Sequence, residues 1–190
     1  MMSERIYLNN DWKFAEQFEA SMTEAAYDDS VMQNVRLPHT CKETPLHYFD
    51  EHCYQMVSGY RRVIEAEEAW KGKKILLTID GAAHDSEVFL NGDKVGEHHC
   101  GYTAFTMDIS GVLRYGEKNI LVVKVDSRED LNIPPFGYVI DYMTYGGIYR
   151  DVTVLGVEES HFDLDYYGAP GVQVVPTMQG TDATVAATAY

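Results

Sequence analysis

The chain has 190 residues, 45% of them hydrophobic and 24% charged, with 15 Gly and 6 Pro, a profile that argues against a disordered, collagenous or membrane protein. At this length folding removes roughly two thirds of the unfolded chain's surface from water, enough for a core without disulfide staples or a structural metal. Thirty acidic against fifteen basic side chains leave a formal charge of −15, which repels phosphate backbones and anionic membranes and argues against both as partners.

The N-terminal sequence lacks the apolar run of a signal peptide, and nowhere do eighteen apolar residues run together, so a cytoplasmic location is expected. Cys41, Cys53 and Cys100 are odd in number and lack CxxC spacing, which fits free thiols in a reducing compartment.

Short β-branched or aromatic runs, broken every eight to twelve residues by Gly, Asn, Asp or Pro, predict an all-β sandwich. The first strand is Trp12-Lys13-Phe14. Residues 28–50 are polar, contain Pro38 and Pro45, and read as a long connection packed over the sheet. A strand at 60–64 follows. In the next, at 73–80, Ile75, Leu77 and Ile79 make one apolar face.

Residues 87–90, Asn91-Gly92 and residues 94–96 predict a tight hairpin, because both central positions of a type I′ turn need positive φ. Strands are then expected at 102–109, at 119–126 with Leu121, Val123 and Val125 inward, and at 149–157. About eight strands fit a jelly roll. Beyond a polar joint at Glu158-Glu159-Ser160, runs at 172–175 and 184–190 flank the turn signal Gln179-Gly180-Thr181-Asp182 and predict one hairpin of a second β unit.

Few residues form a catalytic constellation. Adjacent His98 and His99 face opposite ways on a strand, and without a His-x-His pair a cupin-like metal site has no support. No Gly-x-Ser-x-Gly element presents a nucleophile. The neighbouring carboxylates Glu67-Glu68 and Glu158-Glu159 read as solvated charge rather than an acid and base pair. Arg150, next to Asp151, reads as half of a buried ion pair. Most of the fourteen tyrosines belong in the core, while Tyr138, Tyr142 and Tyr145 are the candidates for stacking on sugar rings.

Six short motifs recur in one order. They are Leu37-Pro38-His39, Tyr60-Arg61-Arg62, Val88-Phe89-Leu90-Asn91-Gly92, Gly101-Tyr102-Thr103-Ala104-Phe105, Asp108-Ile109 and Tyr145-Gly146-Gly147-Ile148-Tyr149-Arg150-Asp151-Val152. With the opening run Leu8-Asn9-Asn10-Asp11-Trp12-Lys13-Phe14, this order resembles the N-terminal sugar-binding domain of glycoside hydrolase family 2, whose members include β-galactosidases, β-glucuronidases and β-mannosidases.

The resemblance implies a galactose-binding-domain-like jelly roll over residues 1–157 and the first strands of an immunoglobulin-like sandwich over 158–190. In the family a catalytic (β/α)₈ barrel comes third and carries both catalytic glutamates, so no catalytic residue is assigned here. It also implies a β-glycoside substrate, most simply a β-galactoside with a β-glucuronide as the alternative, together with contacts to downstream domains and self-association. Sodium or magnesium would belong to the full-length enzyme, with no cofactor or metal in this stretch. A stand-alone carbohydrate-binding module is the other reading.

One contact position carries over. Asp141, nine residues before Arg150, matches a family Asp that reaches the active site and hydrogen-bonds the sugar, a task suited to a carboxylate facing vicinal hydroxyls. His39 matches a structural histidine under the long loop. Gly59 departs from the pattern, since many members have Trp before the Tyr-Arg pair. No motif fixes the alignment of residues 48–55, and no sugar contact is assigned there.

Overall fold

The computed structural model describes residues 5–44, 46–47, 50–137, 143–164, 166 and 170–190. Its strands are β1 (Arg5–Tyr7), β2 (Trp12–Ala15), β3 (Gln33–Val35), β4 (Val57–Glu65), β5 (Lys74–Ile79), β6 (Ala82–Ala83) and β7 (Asp85–Leu90). There follow β8 (Asp93–His99), β9 (Phe105–Asp108), β10 (Lys118–Asp126), β11 (Gly147–Ile148), β12 (Val152–Val157), β13 (Val172–Gln179) and β14 (Asp182–Ala189). Helical structure among the described residues is confined to single 3₁₀ turns such as Ala20–Thr23. No helix there is long and apolar enough to cross a membrane.

One sheet has the order β1-β12-β5-β9 and a second the order β3-β2-β4-β10-β7-β8, so the predicted all-β sandwich is present. Alternation builds the core between them. Ile75, Leu77 and Ile79 of β5 have no exposed surface, and neither do Leu121, Val123 and Val125 of β10, and all six belong to one cluster with Trp12, Tyr60 and Val88. Each such side chain contributes about 1.5–3 kcal/mol by leaving water.

The Asn-Gly hairpin forms as predicted: Asn91 and Gly92 take φ of 55° and 95°, connecting β7 to β8. The Asn91 side chain also ties the turn down, donating to Asn119 Oδ1 at 2.8 Å and accepting from the Ile120 amide at 3.0 Å.

Two strands start later than expected. The strand expected from residue 102 begins at Phe105, and the one expected from 149 begins at Val152. Residues Gly147–Ile148 pair instead with Ala82–Ala83 in a ladder of their own. At the start of β12, Asn9 donates to Asp151 Oδ1 at 2.8 Å and accepts from the Val152 amide at 3.1 Å.

The cover over the six-stranded sheet also starts earlier than the expected 28–50. Met22 and Met32 pack on Val122 of β10, with Phe18, Tyr27 and Phe89 around them. Gly59 sits beneath this cover, where a Cβ would come 2.6 Å from Met22 Sδ. Met22 and Phe18 fill the space directly over this glycine.

The last two strands stand apart in character. Every residue of β13 and β14 is exposed, and the pair joins through a turn with Gly180 at φ 64°. Its base is tied to the preceding segment by the Asp163 amide donating to Tyr190 O at 2.8 Å, and by stacked Tyr166 and Tyr190 rings 4.0 Å apart.

Candidate functional site

Asp141, Tyr138 and Tyr142 lie outside the described residues, so the site is built from the segments on either side, 126–137 and 143–150. Upstream, buried Ser127 takes its amide to Met56 O at 2.9 Å and its hydroxyl to Tyr54 O at 2.5 Å. Arg128 grips Asp126 through Nε at 2.9 Å and Nη2 at 2.5 Å. Burial works to raise the Asp126 pKa, but hydrogen bonds from Arg128 outweigh it and hold the carboxyl below its ordinary value. The loop then folds back on itself, with the Gly137 amide donating to Asp130 O at 2.8 Å and the Gly101 amide to Pro134 O at 2.6 Å.

Downstream, the chain is held from two sides. The His39 amide donates to Ile148 O at 2.8 Å and the Cys41 amide to Gly146 O at 3.0 Å, while β11 pairs with β6. Gly147 makes this possible. Its φ is +109°, and a Cβ there would lie 2.6 Å from the Tyr60 hydroxyl and 2.8 Å from His39 O.

His39 is half-buried against the Phe14 ring at 4.8 Å, with Nδ1 2.9 Å from the Tyr60 hydroxyl. Burial pushes the His39 imidazole down and the Tyr60 phenol up, so both are neutral at pH 7. The anchor at this point is polar but uncharged.

Between the two segments opens a cleft of about 470 Å³, walled by Tyr102, Pro135, Met143, Tyr145, Tyr149 and Arg150. Tyr145 is 54% exposed and braced edge-on by buried Tyr54, ring centres 5.0 Å apart. The Tyr149 hydroxyl donates to Gly101 O at 2.5 Å.

Arg150 corrects the sequence reading. It is exposed, it donates through Nη1 to Tyr102 O at 3.2 Å and Asp80 O at 3.4 Å, and its guanidinium lies 5.3 Å from the Tyr149 ring centre. It forms no ion pair with Asp151, whose carboxylate accepts from Asn9.

The buried pair lies elsewhere. Arg61 of β4 reaches through the sheet's cover to Asp29, and also donates to Met22 O at 3.2 Å and Glu24 O at 3.3 Å. No spacing rule marks a pair 32 residues apart, so the sequence carries no signal for it.

A second cavity, of about 300 Å³, is lined by Gln55, His84, Asp85, Asp126, Arg128 and Asp130. His84 is 2% exposed, with neither ring nitrogen in an aligned hydrogen bond, and burial lowers its pKa. Among the described residues no three His, Cys, Asp or Glu side chains are arranged to hold a metal ion. His98 stacks on Phe105 at 4.4 Å, and His99 reaches Asp85 at 2.7 Å. Cys41, Cys53 and Cys100 are free thiols.

Comparison with known proteins fits this geometry. Residues 7–158 match the family model for the sugar binding domain of glycosyl hydrolases family 2. The chain is 38% identical over 184 residues to a β-galactosidase of Thermoanaerobacter pseudethanolicus, covering 96% of this chain and 24% of that protein. It is 34% identical over 170 residues to a β-glucuronidase of Bacteroides fragilis, covering 90% and 23%. The crystal structure of a Bacteroides uniformis β-glucuronidase superposes with a TM-score of 0.86 at 31% identity, covering 98% of this chain and 22% of that one. The chain thus spans about a quarter of the length of the curated relatives it matches. With the family model running from β1 to the end of β12, this chain belongs to glycosyl hydrolase family 2, and residues 7–158 are its sugar binding domain.

Proposed function

We propose that this chain is the N-terminal part of a retaining β-glycosidase, most simply a β-galactosidase, and that it shapes the sugar site without supplying the catalytic carboxylates. The observation that carries this reading is the match to a β-galactosidase over 96% of this chain but only 24% of the relative. In this reading residues 158–190 open a second, immunoglobulin-like unit. The two-sided exposure of β13 and β14 supports it, because a lone hairpin is marginal in water without further strands.

Asp141 is the proposed sugar contact. Support comes from the anchoring on both sides of residues 138–142: hydrogen bonds at Ser127, Gly101 and Gly137 before them, and at Gly146 and Ile148 after them. An ionised carboxylate can accept two directed hydrogen bonds from vicinal hydroxyls. A β-glucuronide is the second substrate reading, favoured by the likeness to the Bacteroides β-glucuronidases.

The test is turnover of nitrophenyl β-galactoside and β-glucuronide by the 190-residue chain and by the protein extended along its reading frame. The extended protein is expected to cleave one of them and the 190-residue chain neither. Turnover by the purified 190-residue chain, free of host enzyme, would overturn the reading.

A further inference from the structure

His84 joins the two segments that flank residues 138–142. Its amide donates to Asp126 O at 2.9 Å, which ties it to the upstream segment. It directly follows β6, whose Ala82 and Ala83 pair with Ile148 and Gly147 of β11. One further step of that antiparallel register sets His84 opposite Gly146, in the downstream segment.

The imidazole sits where the two segments come together. It is 2% exposed, and it lines the cavity of about 300 Å³ together with Arg128 and Glu129 of the upstream segment. Main-chain groups of Arg128 and of Tyr145 face the ring and favour its protonated form, as carbonyl acceptors do. Neither ring nitrogen is aligned in a hydrogen bond as the ring stands. A neutral imidazole has one N–H and one bare lone pair, so it can serve only one of two carbonyls and turns its lone pair on the other. The imidazolium has two N–H groups and can serve both.

The charged groups around the ring pull in both directions. Asp126 at the end of β10 and Glu129 in the loop after it favour the cation, while Asp85 of β7, Arg128 and Asp130 share the cavity wall. Arg128 already matches Asp126, and His99 of β8 already reaches Asp85. Burial outweighs the acceptors and holds the ring neutral at pH 7.

We infer that His84 is a positioning residue that clasps the two flanks of residues 138–142, its ring serving Arg128 O or Tyr145 O when neutral and both when protonated. The consequence for turnover rests on the proposed sugar contact at Asp141. The clasp itself is read in the 190-residue chain without turnover, so the two fail separately.

The experiment follows the His84 ring nitrogens and the carbonyl carbons of Arg128 and Tyr145 by NMR in the 190-residue chain from pH 8 to 4.5. All three are expected to titrate with one midpoint, below the ordinary 6.5. His84→Phe keeps a ring of similar shape without an N–H, and both carbonyl signals are expected to lose that titration. In the extended protein, His84→Phe is expected to lower kcat/KM for the nitrophenyl glycoside that it cleaves by about fivefold or more at pH 7. His84→Gln, which retains an N–H donor, is expected to restore at least half of the activity. A merely space-filling side chain would give the reverse order, with Phe the better replacement. Separate midpoints for the two carbonyls, a response at only one of them, or the same titration in His84→Phe would each overturn the clasp. Unchanged kcat/KM in His84→Phe would overturn the positioning role, and if either variant fails to fold, the titration of the parent chain decides.

Discussion

Arg61 and Asp29 form an ion pair across the cover of the six-stranded sheet, with the arginine side chain 4% exposed and the aspartate 30%. The guanidinium is further held by Met22 O and Glu24 O, so one buried cation organises the 22–29 segment over β4. Removing the carboxylate leaves that cation uncompensated. Asp29→Ala is expected to cost about 2–3 kcal/mol, less than the 3–5 kcal/mol of a fully buried pair because Asp29 is partly wet. Urea unfolding measures it, and a midpoint equal to that of the parent would show that the pair contributes nothing.

Gly147 and Gly72 both have positive φ, at 109° and 84°, but only Gly147 has neighbours within 4 Å of a new Cβ. Gly72→Ala is expected to cost about 1–2 kcal/mol from the left-handed backbone alone. Gly147→Ala adds a clash with the Tyr60 hydroxyl and two main-chain atoms, and is expected to cost more than 3 kcal/mol by the same measurement. Similar losses in the two variants would refute the close approach at Gly147.

Stability is expected to fall on mild acidification. Burial lowers the pKa of His39 and His84 below the ordinary 6.5. Near and below pH 6.5 the unfolded chain therefore binds protons that the folded chain refuses, and their contribution, present at pH 7 and above, is lost as pH falls towards the folded values. His98 acts in the same direction, and His99, raised by Asp85, acts in the opposite one from an exposed position. Thermal unfolding from pH 7.5 to 5 checks the slope, which His39→Gln is expected to flatten. An unchanged slope would remove His39 as a contributor.

In the extended protein, Asp141→Ala is expected to lower kcat/KM by a factor corresponding to about 2–4 kcal/mol of transition-state binding, with the unfolding midpoint unchanged. Loss of the fold in place of activity would make Asp141 a structural residue. Steady-state kinetics with parallel circular dichroism separates the two.

Much of the sandwich was legible in the sequence, because strand alternation and turn chemistry are local. Ile75, Leu77 and Ile79 announce an inward face by their period of two, and Asn91-Gly92 announces a type I′ turn by its tolerance of positive φ. The resemblance to family 2 was carried by short motifs in order, and residues 7–158 match that family. Sequence adjacency misled at Arg150 and Asp151, which part to opposite sides of the chain.

By itself the sequence determined the all-β class, the strand rhythm, the hairpin turn and the family, since each depends on residues close together along the chain or on their order. Only the tertiary structure decided which charges pair and which side chains share a cavity. Arg61 meets Asp29 across 32 residues, and Tyr145 and Arg150 meet Tyr102 and Pro135 in one cleft, because sheet register and loop anchoring bring distant segments together. These contacts depend on three-dimensional closure, which leaves no periodicity in the chain that makes them.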